Sequence, residues 1–268
     1  QNGFEVGTEI QARYARKYEK PIIAVVSQLD AEKANWEATI ESIEANSRVK
    51  SVIVQYPVNP GPSFDSFIDV LMMKMYKFKG TNGEREELEI PESERERAAE
   101  LHNKLVEAAA ENDEALMELY FDKGTLTQDE MRSGLKLGLA KRDLMPVFCT
   151  SGARDIGTKR LMEFVINVAP GPLKAPNFLT VDGAEVEPDA AGPLALFVFK
   201  SAVEPHLGEV SFFRVIRGTL TEGAEVVNSR TGNREKISQI FAIAGKNRVK
   251  VSEMMAGDIG CTVKLKGV

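Results

Sequence analysis

Two short stretches carry side chains suited to holding a small ligand. In "SQLD", Asp30 follows Ser27, Gln28 and Leu29 directly after the apolar run Ile22 to Val26. Its two carboxylate oxygens match two N–H donors on one edge of a planar base, a charge-assisted bidentate pairing. In "TSGARDIG" (150–157), Ser151 and Gly152 follow a second apolar run, Leu144 to Cys149. They combine small side chains with backbone N–H groups suited to a carbonyl oxygen. Ligands of open α/β sheets bind beyond the carboxyl ends of the strands, so the two loops would converge if those strands are neighbours. An ordinary helix N-cap is the other role open to Asp30.

Other chemistries find little support. The two histidines, His102 and His206, lie far apart and have no cysteine or carboxylate at ligand spacing. There is no GxSxG elbow to make Ser151 a nucleophile, and no GxxxxGK[ST] loop to cradle a triphosphate. Cys149 and Cys261 each sit in an apolar run, which fits reduced, buried thiols. No apolar stretch approaches the ~18 residues of a membrane span. No leader is visible and the chain opens on Gln1, so a cytoplasmic piece of a longer protein is expected.

The elements that must position the loops can be read from periodicity. Ile22 to Val26 and Ser51 to Gln55 read as strands, with an amphipathic helix over Ala31 to Ala45 carrying Trp36, Ile40 and Ile43 between them. Such a βαβ order predicts parallel strands. Phe64, Phe67, Ile68, Leu71, Met72 and Met75 form a helix-like stripe. Further helices are expected over Pro91 to Asp113, through Leu116 to Tyr120, and from Thr127, whose Glu130 three residues on completes a capping box. Leu144 to Cys149 is a buried strand and Thr158 to Val168 a helix. Residues 1–172 are thus expected to form an α/β domain with a largely helical insertion at about 61–142. Pro170, Pro172 and Pro176 open a stiff linker over 173–191. Short, glycine-punctuated strands over 192–268 predict a small all-β barrel.

The net charge of −6 is unevenly spread: residues 81–130 hold 16 acidic and 5 basic residues, whereas 194–268 hold 11 basic and 7 acidic. Such separation suits two faces with different partners.

In their order, these motifs resemble a family. "GFEVGTEIQARYARKYEKPIIAVVSQLD" is similar to the "GVxxQTExxxxxAxxYxxPxIxxxNKxD" of the translational GTPases, most closely elongation factor G and its paralogues. "FDSFIDVLMMKMYKF" resembles the segment after the family's second helix, and "DEALMELYFDKGTLTQDEMRSGL" its "DExLMExYLxGxxLTxEEL". "MPVFCTSGARDIGTKRLMEFVINVAPGP" is similar to "xPVxCGSAxxxxGxxxLLDxVxxxLPSP". "LALFVFKSAVEPHLGEVSFFRVIRGTLTEGAEVVNS" and "AGDIGCTVKLKG" resemble stretches of its barrel domain.

The resemblance implies part of a P-loop GTPase domain, a parallel sheet with a helical insertion, followed by the family's second, β-barrel domain. It implies a ribosome-binding factor that uses GTP and GDP with Mg²⁺, whose phosphate and metal ligands lie outside this chain. By itself the chain is then expected not to hydrolyse GTP. Asp30 takes the place of the family's guanine-reading Asp, and Ser151 and Gly152 that of its Ser-Ala. Ser27 stands where the family has Asn and Gln28 where it has Lys. Losing such contacts costs about 1–3 kcal/mol, so weakened affinity is expected. The resemblance also implies that the acidic insertion faces a ribosomal stalk protein and that the barrel meets rRNA. Arg214, Arg217, Lys246, Arg248 and Lys250 are the candidates for phosphate contact. No membrane or DNA partner is expected, and the chain is expected to be monomeric. A ribosome-protection factor of the tetracycline-resistance type and a non-hydrolysing docking module remain open as alternatives.

Overall fold

The structure, a computed structural model, describes residues 3–204, 208–245, 247–265 and 267. The chain divides into two compact units, 1–170 and 171–268. His206 and Lys246 fall outside the described residues.

The first unit begins with α1 (Val6–Lys17), β1 (Ala24–Val26), α2 (Trp36–Asn46) and β2 (Lys50–Ile53). A meander follows: β3 (Gln55–Pro57), β4 (Ser66–Asp69), β5 (Lys74–Phe78) and β6 (Arg85–Leu88). Then come α3 (Arg95–Ala110), α4 (Glu114–Lys123), α5 (Gln128–Lys141), β7 (Leu144–Cys149) and α6 (Thr158–Val168). The parallel sheet has the order β1-β7-β2, so the βαβ pair is split by a strand from the far end of the unit. All six residues of β7 are buried, as a central strand covered on both faces requires. α2 starts later than its periodicity suggests, because the Asn35 side chain accepts a hydrogen bond from the Ala38 N–H at 3.0 Å and caps it there.

The stretch expected to open a helical insertion is instead the antiparallel meander β3-β4-β5-β6. Asp69 decides this locally. Its carboxylate accepts a 2.9 Å hydrogen bond from the Met72 N–H, closing a tight turn in which Met73 adopts φ +52°. The apolar residues on either side then fall on paired strands, with Phe67 opposite Tyr76 and Ile68 opposite Met75. Every residue of β4 is buried, so it has no polar face to mark its period, and a short apolar run fits helix and strand alike. Of the insertion expected at 61–142, only the part from α3 onward is helical.

α3 and α5 pack closely. A Cβ on Gly134 would stand 2.2 Å from the Ala109 carbonyl oxygen, so a hydrogen is all the contact admits. At the head of α5 both halves of the capping box are formed by Thr127 and Glu130.

The second unit is antiparallel β. It comprises β8 (Phe178–Leu179), β9 (Glu185–Val186), β10 (Ala195–Glu204), β11 (Gly208–Arg217), β12 (Thr219–Thr221), β13 (Glu225–Val227), β14 (Arg234–Lys236), β15 (Ile240–Ala244), β16 (Asn247–Val251), β17 (Glu253–Met255) and β18 (Ile259–Val263). Five strands pair in the order β10-β11-β18-β15-β16, while β8 with β9, β12 with β17, and β13 with β14 form two-stranded ribbons. The stretch 173–191, expected as a linker, holds the β8-β9 hairpin. Phe213, Val215, Leu220, Ile237, Ile240, Met254 and Leu265 form the unit's main core.

Candidate base-recognition site

β1 and β7 are hydrogen-bonded neighbours, with Val26 opposite Cys149, so their carboxyl ends lie side by side. The link continues into the loops: the Thr150 N–H donates to the Val26 carbonyl at 2.9 Å, and the Leu29 N–H to the Thr150 carbonyl at 3.4 Å. The two sequence stretches that carry the candidate residues are therefore one local structure.

Asp30 does not cap a helix, since Asn35 holds that position for α2. Its carboxylate is half-buried and makes no hydrogen bond or ion pair among the described residues. An acceptor pair without a protein partner is what a ligand edge requires. Leu29, just before it, is 2% exposed and anchors the loop in the core. Ser27 and Gln28 are exposed. Gln28 adopts φ +58°, the left-handed region that a glutamine occupies only at some cost, and its carbonyl accepts from the Ala31 N–H at 3.0 Å to close the turn.

Ser151 and Gly152 divide their roles. Ser151 is fully buried, and its N–H is already donated to the Ile156 carbonyl at 3.0 Å, with the reverse bond at 2.9 Å. It cannot also meet a ligand carbonyl without breaking that bridge. Its Oγ accepts from the Arg154 N–H at 3.3 Å. The Gly152 N–H has no partner among the described residues, the residue is exposed, and nothing stands within 4 Å of where its Cβ would be. Of the two backbone donors read from the sequence, Gly152 is the one that is free. Gly157 ends the loop at φ +80°, where a Cβ would stand 2.5 Å from the Cys149 carbonyl oxygen, so glycine is required there before α6 starts.

Two contacts from the meander side were not legible in the sequence. The Gly61 N–H donates to the Leu29 carbonyl at 2.7 Å. Arg154 Nη1 donates to the carbonyls of Phe64 at 2.8 Å and Pro62 at 3.2 Å. No spacing rule marks these pairs, because they join positions 32 and about 90 residues apart.

A cavity of about 660 Å³ lies beside β1, lined by residues of α1, β1 and α2 with Ser27 and Gln28 among them. Asp30, Ser151 and Gly152 are not part of its lining. Among the described residues no group of three or more His, Cys, Asp or Glu is placed to hold a metal ion.

The basic residues of the second unit are distributed and mostly engaged. Arg248 forms an ion pair with Glu204, Lys250 with Glu222 at 2.7 Å, and Arg217 with Asp189 at 3.8 Å. Arg214 lies over the Phe178 ring, 5.2 Å from its centroid. Arg214 and Arg217 belong to β11, Arg248 and Lys250 to β16, with β18 and β15 between those strands. No helix is long and apolar enough to cross a membrane among the described residues.

Residues 193–268 match the family described as elongation factor G domain 2. The whole chain also matches a crystal structure from Thermus thermophilus with a TM-score of 0.83 at 27% sequence identity. That match covers 100% of this chain and 38% of the other, so the chain spans well under half of its relative's length. A parallel sheet with helices followed by an antiparallel β unit accords with these likenesses: residues 193–268 resemble an elongation factor G domain 2, and the whole chain is similar in fold to the Thermus thermophilus protein.

Proposed function

We propose that the loops after β1 and β7 read the guanine of GTP or GDP, and that the chain is the base-recognition part and second domain of a ribosome-binding GTPase. The observation that carries this reading is the pairing of two unmatched groups on hydrogen-bonded loops: the Asp30 carboxylate and the Gly152 N–H. Guanine presents N1–H and N2–H₂ beside the O6 carbonyl, so an acceptor pair and a donor suit it. Adenine has the opposite pattern on that edge and would set its acceptor N1 against the carboxylate. The residues present fit the base. When bound in the complete factor, the nucleotide supplies the hydrolysable phosphate bond. This chain's contribution is to orient the base. Ser27 and Gln28 offer less to the base than Asn and Lys, so binding by this chain is weak, in the millimolar range. Interaction with the ribosome, through rRNA at the second domain and a stalk protein at the acidic insertion, belongs to the same reading, as does a cytoplasmic location.

The test is an amide-resolved NMR titration of the chain with 5′-GMP and 5′-AMP. GMP is expected to shift the resonances of Gly152 and Asp30 and to bind more tightly than AMP. Asp30→Ala should abolish the preference with little change in melting temperature, since the carboxylate supports nothing else in the fold. A wild-type chain with no preference between the two nucleotides refutes the reading.

A further inference from the structure

We propose that Arg154 is a positioning residue for base recognition, acting through the turn 61–64 of the meander rather than by touching the base. The proposal rests on the reading of Asp30 and Gly152 given above.

The hydrogen bonds around the two loops form a closed ring. Leu29 donates to Thr150 at 3.4 Å and accepts from Gly61 at 2.7 Å. Phe64 N–H donates to the Gly61 carbonyl at 2.9 Å, so the turn is itself tied. Arg154 Nη1 then reaches the Phe64 and Pro62 carbonyls at 2.8 and 3.2 Å. The Arg154 N–H, at 3.3 Å from Ser151 Oγ, returns the ring to the residue after Thr150. Asp30 and Gly152 are each the next residue after a member, Leu29 and Ser151. The separation of the carboxylate from the free N–H is therefore set by the ring.

Within that ring the contact across some 90 residues is carried by one side chain. Leu29 and Ser151 are buried, at 2% and 0% exposed, and Phe64 is at 0%, so three members are held by packing. The guanidinium makes no ion pair with a carboxylate among the described residues; its recorded partners are the two carbonyls. Both bonds leave Nη1, whose two N–H groups, fixed in the guanidinium plane, can serve two acceptors at once. Removing it opens the ring without altering a group that faces the base. The loop after β7 then keeps its own bonds and the Thr150 bonds to Val26 and Leu29 but loses its tie to the turn 61–64, which loosens the distance of the Gly152 N–H from Asp30. Recognition by a donor and an acceptor pair together depends on that distance.

The experiment measures GMP and AMP affinities by NMR titration for the wild-type chain, Arg154→Ala and Arg154→Lys, with a melting temperature for each. Arg154→Ala is expected to weaken GMP about tenfold while AMP changes little, and Arg154→Lys to recover most of the GMP affinity. Arg154→Ala with an undiminished preference for GMP overturns the proposal. So does a loss shared equally by both nucleotides, or one that follows melting temperature in both variants, since that is a purely structural role. A wild-type chain without a preference defeats the base-recognition reading first, before any variant is compared.

Discussion

Arg160 on α6 donates from Nε and Nη2 to one oxygen of Asp69, at 3.0 and 2.8 Å, and Asp69 is fully buried at the end of β4. This pair ties the meander to the helix that follows the second ligand loop. The other Asp69 oxygen closes the turn at Met72, Gln55 Nε2 lies 3.3 Å from the shared one, and Arg160 Nη1 reaches Glu163 at 2.6 Å. A carboxylate so placed is tolerable in the core because almost every lone pair is used.

Breaking one half of the pair is expected to be far costlier than replacing both. Arg160→Met should lower unfolding free energy by about 3–5 kcal/mol by stranding a buried charge. The double variant with Asp69→Asn should recover much of that loss. Urea denaturation of the wild-type chain and the two variants checks the ordering, and a double variant as unstable as Arg160→Met contradicts it.

Acid stability should depend on Glu163. Burial pushes its carboxyl up, but the hydrogen bond and charge of Arg160, with Arg85 and Lys159, outweigh this and hold it below its ordinary value of 4.5. A pKa depressed in the folded chain contributes stability that is present above the unfolded value and lost as pH falls through the folded one. Melting temperature should therefore decline below pH 4.5, the ordinary value, and Glu163→Gln should flatten that decline while lowering stability at neutral pH.

Gly134→Ala should destabilise the first unit although alanine is the better helix former by about 1 kcal/mol. The new methyl would meet backbone, the Ala109 carbonyl at 2.2 Å, and the two helices must part to admit it. A net loss of about 1–3 kcal/mol in chemical denaturation is expected.

Both thiols should be inert in the folded chain. Burial raises the Cys149 thiol far above its ordinary value, and it also raises that of Cys261, where a contact with Arg248 offsets only part of the effect. Iodoacetamide at about pH 8, near the ordinary thiol range, should label neither until urea is added, after which both are taken up. Labelling of one thiol in the native chain would show its strand to be open.

How much could be read without coordinates follows the range of the forces involved. The Thr127 and Glu130 box, the helix Thr158 to Val168 and the strand Leu144 to Cys149 all stand where the pattern places them, because caps and uniform burial act within a few residues. The meander was misread because a run without a polar face has no readable period, and its turn depends on one side chain, Asp69, folding back on its own backbone.

The candidate site divides along the same line. Residue types at strand ends were enough to single out Asp30, Ser151 and Gly152, and the order of motifs was enough to suggest the family. Tertiary structure alone decided that β7 lies directly beside β1, that Asn35 rather than Asp30 caps α2, and that Ser151 spends its N–H on Ile156 while Gly152 keeps its own. It alone brought Gly61, and the Pro62 and Phe64 carbonyls that Arg154 holds, to the loops. The Asn35 cap and the Ser151–Ile156 bridge are local, but the β1–β7 pairing, the Gly61 bond and the Arg154 bonds join residues some thirty to a hundred and twenty positions apart, and a hydrogen bond at that separation leaves no periodicity in the chain. It exists only once the core has packed and fixed which carbonyls face which donors.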